Sequence, residues 1–180
     1  MSEATANDPI AATRAWLERA VIGLNLCPFA KAVHAKGQVR YVLSAATTPA
    51  ALLEQLGQEL LLLRDAPTDE VDTTLLVHPD VLHDFLDYND FLETADTLVR
   101  ELGLEGVLQV ASFHPGYQFA GSAADDIENF TNRSPHPTLH LLREDSVARA
   151  VAAYPDPGVI VERNVETLRD LGRDGWEKLF

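Results

Sequence analysis

The sequence predicts an α/β fold, with a mixed, partly parallel sheet of about four strands and helices packed on it. Three observations predict it. Short β-rich runs alternate along the chain with segments of helical period, the pattern of βαβ units. With 180 residues, 46% of them hydrophobic, the chain is long enough for one buried core and too short for two, so residues 1–180 read as a single globular domain. No repeat of fixed period and no low-complexity tract points to another architecture. The competing arrangement is a two-layer α+β ferredoxin-like sandwich, which hairpin-like returns around a long loop would permit.

The elements follow in order. Asn7-Asp8-Pro9 supplies a cap and a first-turn proline for a helix over residues 9–26, with Ile10, Leu17, Val21 and Leu24 on one face and Pro28 as its stop. Residues 39–44 form a short strand. Thr47-Thr48-Pro49 opens a second helix on Leu52, Leu53, Leu56, Leu60 and Leu63. Residues 73–77 read as a buried strand and 80–102 as a helix that Tyr88-Asn89-Asp90 interrupts. Residues 107–113 and 138–142 are the remaining strands. Asp145 or Ser146 caps a short helix through Ala152, and Asn164 caps a last one that stops near Gly172.

Composition excludes several function classes. Fourteen basic against 28 acidic residues give a formal charge of −14, which opposes binding to nucleic acid and to anionic membranes. Neither is expected as a partner. The single cysteine, Cys27, allows no intrachain disulfide and no zinc ribbon, as suits a reducing compartment. MSEATANDP has no basic region followed by an apolar stretch, and the leucine run at residues 60–63 is too short to cross a bilayer, so a soluble, cytoplasmic protein is expected.

Polar chemistry is concentrated in residues 109–144, where His114, His136 and His140 stand with Asn129, Asn132, Arg133, Arg143 and Glu144 in a long stretch of little periodicity. His-Pro occurs at His78, His114 and His136. The first two end predicted strands and would converge at the carboxyl edge of the sheet if those strands are adjacent and parallel. Against this stands the plain reading that an extended residue before proline suits a strand exit. His114 lies in residues 106–124, which carry no formal charge, as a packed or pocket-lining segment would. His136 and His140 share a face of an extended segment and, with His114 and an oxygen from Glu144, Asp125 or Asp126, would make a metal site.

Arg133, with Asn132 and Ser134 on a proline-bounded loop, suits recognition of a carboxylate or phosphate. The bland counterpart is that Arg133 pairs with Glu128 or Asp126 and holds the loop down. Cys27, at the expected helix carboxyl end, is at the wrong pole for a thiolate and reads first as a small buried hydrophobe. Catalytic use of its thiol needs His114 or Arg133 brought close by the fold. No phosphate-binding glycine fingerprint, nucleophile elbow or paired-histidine zinc helix is present.

Three segments carry a resemblance: GLNLCPFAKAV (residues 23–33), SFHPGYQFA (112–120) and ENFTNRSPHPTLHLLRE (128–144). They resemble the signature segments of an uncharacterised bacterial domain family, over nearly the whole chain. The resemblance brings no established activity or cofactor. It implies that Cys27, His114, Asn132, Arg133, His140, Arg143 and Glu144 form a shared site.

The expectation is therefore a small enzyme for an anionic metabolite, with His114, His140 and Cys27 as catalytic groups and Asn132, Arg133, Ser134 and Arg143 as anion-binding groups. Two alternatives stand beside it. One is a non-haem iron or zinc protein using His114, His140 and Glu144. The other is a noncatalytic ligand- or partner-binding protein.

Overall fold

The computed structural model describes residues 8–180. Asn7 of the expected cap, and the rest of residues 1–7, lie outside the described residues. Asp8 caps the first helix by itself, its carboxylate accepting Ile10 N–H at 2.9 Å. That helix, α1 (Pro9–Trp16), continues as a π-helical stretch, Leu17–Ile22. It ends earlier than expected, because the chain turns over residues 23–29 with Asn25 in the left-handed region at φ 54°. A six-residue helix, α2 (Ala30–Ala35), follows where the sequence pattern had suggested none.

Strand β1 (Val39–Leu43), helix α3 (Pro49–Asp65) and strand β2 (Thr73–Val77) form a parallel βαβ unit. Thr48 caps α3, and Leu52, Leu56, Leu60 and Leu63, all fully buried, form its inner stripe. Each contributes about 2 kcal/mol of hydrophobic stabilisation. Helix α4 (Phe85–Glu101) is uninterrupted: Asp84 caps it by accepting Leu86 and Asp87 N–H, and Tyr88, Phe91, Ala95 and Val99 turn inward. Tyr88-Asn89-Asp90 does not break it, since the tyrosine packs into the core.

Strand β3 (Leu108–Phe113) is joined to strand β4 (Thr138–Arg143) by a long loop that contains a 3-10 turn, Ile127–Asn132. Helices α5 (Glu144–Ala153) and α6 (Val159–Glu177) complete the chain. Asn164 does not cap α6; it lies inside it. Gly172, at φ 67°, kinks that helix instead of ending it.

The sheet order is β1-β2-β4-β3, parallel between β1 and β2 and antiparallel on both sides of β4. This is the mixed, partly parallel sheet expected. Helices cover both faces, so the two-layer sandwich is not adopted. Alternation within the strands sorts the residues. Val42, Leu76, Leu139, Leu141 and Leu108 pack under α3 and α4. Val39, Tyr41 and Phe113 turn the other way, toward α1, its π-helical extension, the 3-10 turn and α6. Among the described residues no helix is long and apolar enough to cross a membrane.

Candidate functional site

The expected convergence of His78 and His114 rested on β2 and β3 being neighbours, but β4 lies between them. Both histidines still flank one side chain, Tyr88, on the α4 face. His78 stacks on the Tyr88 ring at 5.8 Å and His114 lies 4.9 Å from it. The Tyr88 hydroxyl donates to Thr138 O at 2.7 Å and accepts Phe113 N–H at 3.1 Å, tying α4 to the ends of β3 and β4. His114 Nδ1 accepts Gly116 N–H at 2.9 Å, which leaves Nε2–H to donate to Leu82 O at 3.0 Å. Both of its nitrogens are thereby committed to backbone. His78 donates from Nδ1 to Val81 O at 3.1 Å, while its buried Nε2 has no partner. Burial pushes the His78 pKa down to about 4 and also lowers that of His114.

The donor-rich loop is likewise occupied with holding itself together. Arg133 donates from Nε to Tyr117 O at 3.0 Å and from Nη2 to Ala124 O at 2.6 Å, with its guanidinium 4.7 Å over Phe130. Neither Glu128 nor Asp126 pairs with it; Glu128 pairs with Arg169 of α6. Asn132 donates to Ser112 O, and Ser134 to His136 O. Arg143 spans from β4 to the end of α3, donating to Ala66 O and Val71 O. Asn129, fully buried, organises the loop by accepting from Phe119 N–H and Ser122 Oγ and donating to Ala123 O. The expected anion-binding groups are therefore spread over two regions and turned to backbone carbonyls.

The metal alternative fails on placement. His114 faces α4, whereas His140 faces the opposite side of the sheet, and Glu144 opens α5. Among the described residues no three of His, Cys, Asp and Glu are gathered closely enough to hold a metal ion. His136, whose pKa burial lowers, does not line the cavity that His140 faces.

His140 and Cys27 do come together, as linings of one cavity of about 620 Å³. Its floor is the sheet face opposite α3 and α4, where register sets Leu75, His140 and Ala111 side by side. Trp16, Leu17 and Val21 of α1 and its π-helical extension, with α2 and α5, make the walls. The expected crevice was at the carboxyl edge of the strands; this cavity instead lies over the first residues of β1 and β2 and runs along β4 and the length of β3. Cys27 is not at a helix carboxyl end either. It sits in the turn between the π-helical stretch and α2, which Asn164 of α6 pins by donating to Leu26 O at 2.8 Å.

The polar groups in the cavity are few. The Thr73 hydroxyl donates to Leu141 O at 2.6 Å, so it accepts at 2.7 Å from His140 Nε2–H. That network assigns the tautomer in which Nδ1 carries a free lone pair. Nδ1 has no hydrogen-bond partner among the described residues. Desolvation, with no charged neighbour to offset it, pushes His140 down to about 4, so the ring is neutral at pH 7. Gln109, Asp72 and Ser146 also line the cavity, and the described lining contains no lysine or arginine. Thr73 and Gln109 are not marked as site residues by the sequence. The signal was the even spacing of residues 138, 140 and 142, but nothing said which face would be roofed by helices and which filled.

Fold and cavity define a class: a mixed α/β protein with a mostly apolar, side-chain-lined chamber on one sheet face. Residues 8–178 match the family described as Protein of unknown function (DUF1415), and the chain belongs to it. No curated protein and no solved structure matches the chain.

Proposed function

We propose that the protein binds a small, largely apolar molecule in the cavity beneath α1, α2 and α5. The observation that carries this reading is the cavity itself: about 620 Å³, inside the range of about 300–1,000 Å³ usual for small-ligand sites, and walled mostly by apolar side chains. The neutral state of His140 supports it, because an apolar ligand then buries no charge. A wholly buried anion would meet Asp72 and no cation there, which is why the reading moves away from the anionic metabolite held by Arg133 and Arg143.

The test is fluorescence titration with the neutral apolar dye N-phenyl-1-naphthylamine. The expected result is saturable one-to-one binding that Ala150→Trp, a substitution filling the chamber from α5, abolishes without unfolding the protein. Failure to saturate, or undiminished binding by a folded Ala150→Trp protein, overturns the proposal.

The presence of Cys27 and His140 in one chamber favours a second reading, in which the protein acts chemically on its ligand. In that reading Nδ1 of His140, which has no protein partner among the described residues, would take the thiol proton, though a ring with a pKa near 4 is a weak base. If His140 activates Cys27, alkylation by iodoacetamide slows in His140→Leu and its pH profile moves upward. An identical profile in the two proteins removes this reading.

A further inference from the structure

A polar depression of about 370 Å³ adjoins the apolar cavity and shares Ala32, Val33, Asp72 and Ser146 with it. Its remaining lining is Lys36, Gln38, Thr68, Asp69 and Arg149. Chamber and depression thus share a border, apolar on one side and charged on the other. Two exposed cations stand at the outer part, Lys36 from the end of α2 and Arg149 from α5. Neither forms an ion pair among the described residues; Arg149 donates only to Ser146 Oγ. Of the two carboxylates, Asp72 is engaged by Ser146 Oγ–H at 2.5 Å. The depression is formally neutral in a chain of net charge −14, so an anion meets less repulsion there than the whole protein would impose.

We propose that the ligand is a single-chain amphiphile whose apolar tail fills the cavity and whose anionic head, a carboxylate or a phosphate monoester, lies between Lys36 and Arg149. This rests on the cavity being a ligand site and adds which end of the ligand lies where. It also returns an anion to the protein at cations that the sequence pattern had not marked. A head at the mouth keeps its charge in water while the tail is desolvated, which resolves the conflict between an anionic ligand and a chamber without cations.

The test displaces bound N-phenyl-1-naphthylamine at pH 8 with dodecanoate, dodecyl phosphate and dodecanol, which share a chain and differ in the head. The wild-type protein is expected to prefer at least one of the two anions over dodecanol by about tenfold, the scale of two partly exposed ion pairs. Which anion wins identifies the head. The double variant Lys36→Gln/Arg149→Gln should lose that preference while binding dodecanol as before, and Lys31→Gln, an exposed cation of α2 outside the depression, should keep it. Equal displacement by all three compounds, or a preference that survives in the double variant, overturns the head-group assignment while leaving the cavity reading intact. If the dye itself does not bind, the cavity reading fails and the head-group assignment falls with it.

Discussion

On the α4 face of the sheet, His78 and His114 are packed around Tyr88 with three of their four ring nitrogens satisfied or enclosed by backbone. On the other face, His140 has one nitrogen held by Thr73 and the second directed to no protein partner, in the wall of a chamber. The same residue type therefore serves as internal scaffolding in one layer and as a chemically available group in the other. Burial lowers the pKa on both faces, so a depressed imidazole does not by itself mark a site. What sets His140 apart is the open space adjoining its unpartnered nitrogen, where that of His78 is buried.

The largest effect that separates the faces is expected in acid. Histidines whose folded pKa lies below the unfolded value of about 6.5 are neutral in the folded state, so their contribution is complete above pH 6.5 and is lost as pH falls toward about 4. The loss is on the order of 3 kcal/mol for each of His78 and His140. Urea denaturation between pH 7 and 4 measures it. In His140→Leu the slope should become shallower, the remainder coming from His78 with His114 and His136; an unchanged slope would show that water in the chamber already relieves His140.

Tyr88→Phe comes next. It leaves Thr138 O and Phe113 N–H without their buried partner and is expected to cost about 2–3 kcal/mol. Denaturation midpoints should fall while dye affinity stays within experimental scatter. A parallel loss of dye binding in the folded variant would mean the two faces are coupled through β4.

Arg133→Gln, which frees Tyr117 O and Ala124 O on a partly solvated loop, should cost about 1–2 kcal/mol and leave both dye and dodecanoate binding unchanged. Weakened dodecanoate binding would return Arg133 to the ligand site. The smallest effect is that of His140→Leu on stability at pH 7, expected within about 1 kcal/mol because Thr73 keeps its bond to Leu141 O and the leucine stays in an apolar wall. Thermal melts check it, and a loss as large as that of Tyr88→Phe would place His140 with the scaffolding.

Much of the fold was legible in order along the chain. The leucines of α3, the buried run of β2 and the alternation of β4 are local periodicities, and each specified its element within a residue or two. Less visible was α2, whose six residues bury none of their side chains and leave no periodic stripe. The turn carrying Cys27 was also hidden, because the residue before a proline is restricted without saying how many turns earlier the helix has ended. Of the candidate site, His140 and Cys27 were marked by residue type and spacing and by a resemblance of sequence segments, and their shared chamber came only from the fold.

By itself the sequence determined a mixed α/β fold, its acidic character, its single thiol and the identity of the long, polar loop between β3 and β4. Only the tertiary structure decided that β4 would insert between β2 and β3, and with that insertion which histidines share a face. The physical reason is that strand order and helix placement depend on contacts between residues far apart in the chain. A side chain's hydrogen-bonding capacity is written in its residue type, but whether backbone, a neighbour or an open cavity meets it is set by those distant contacts.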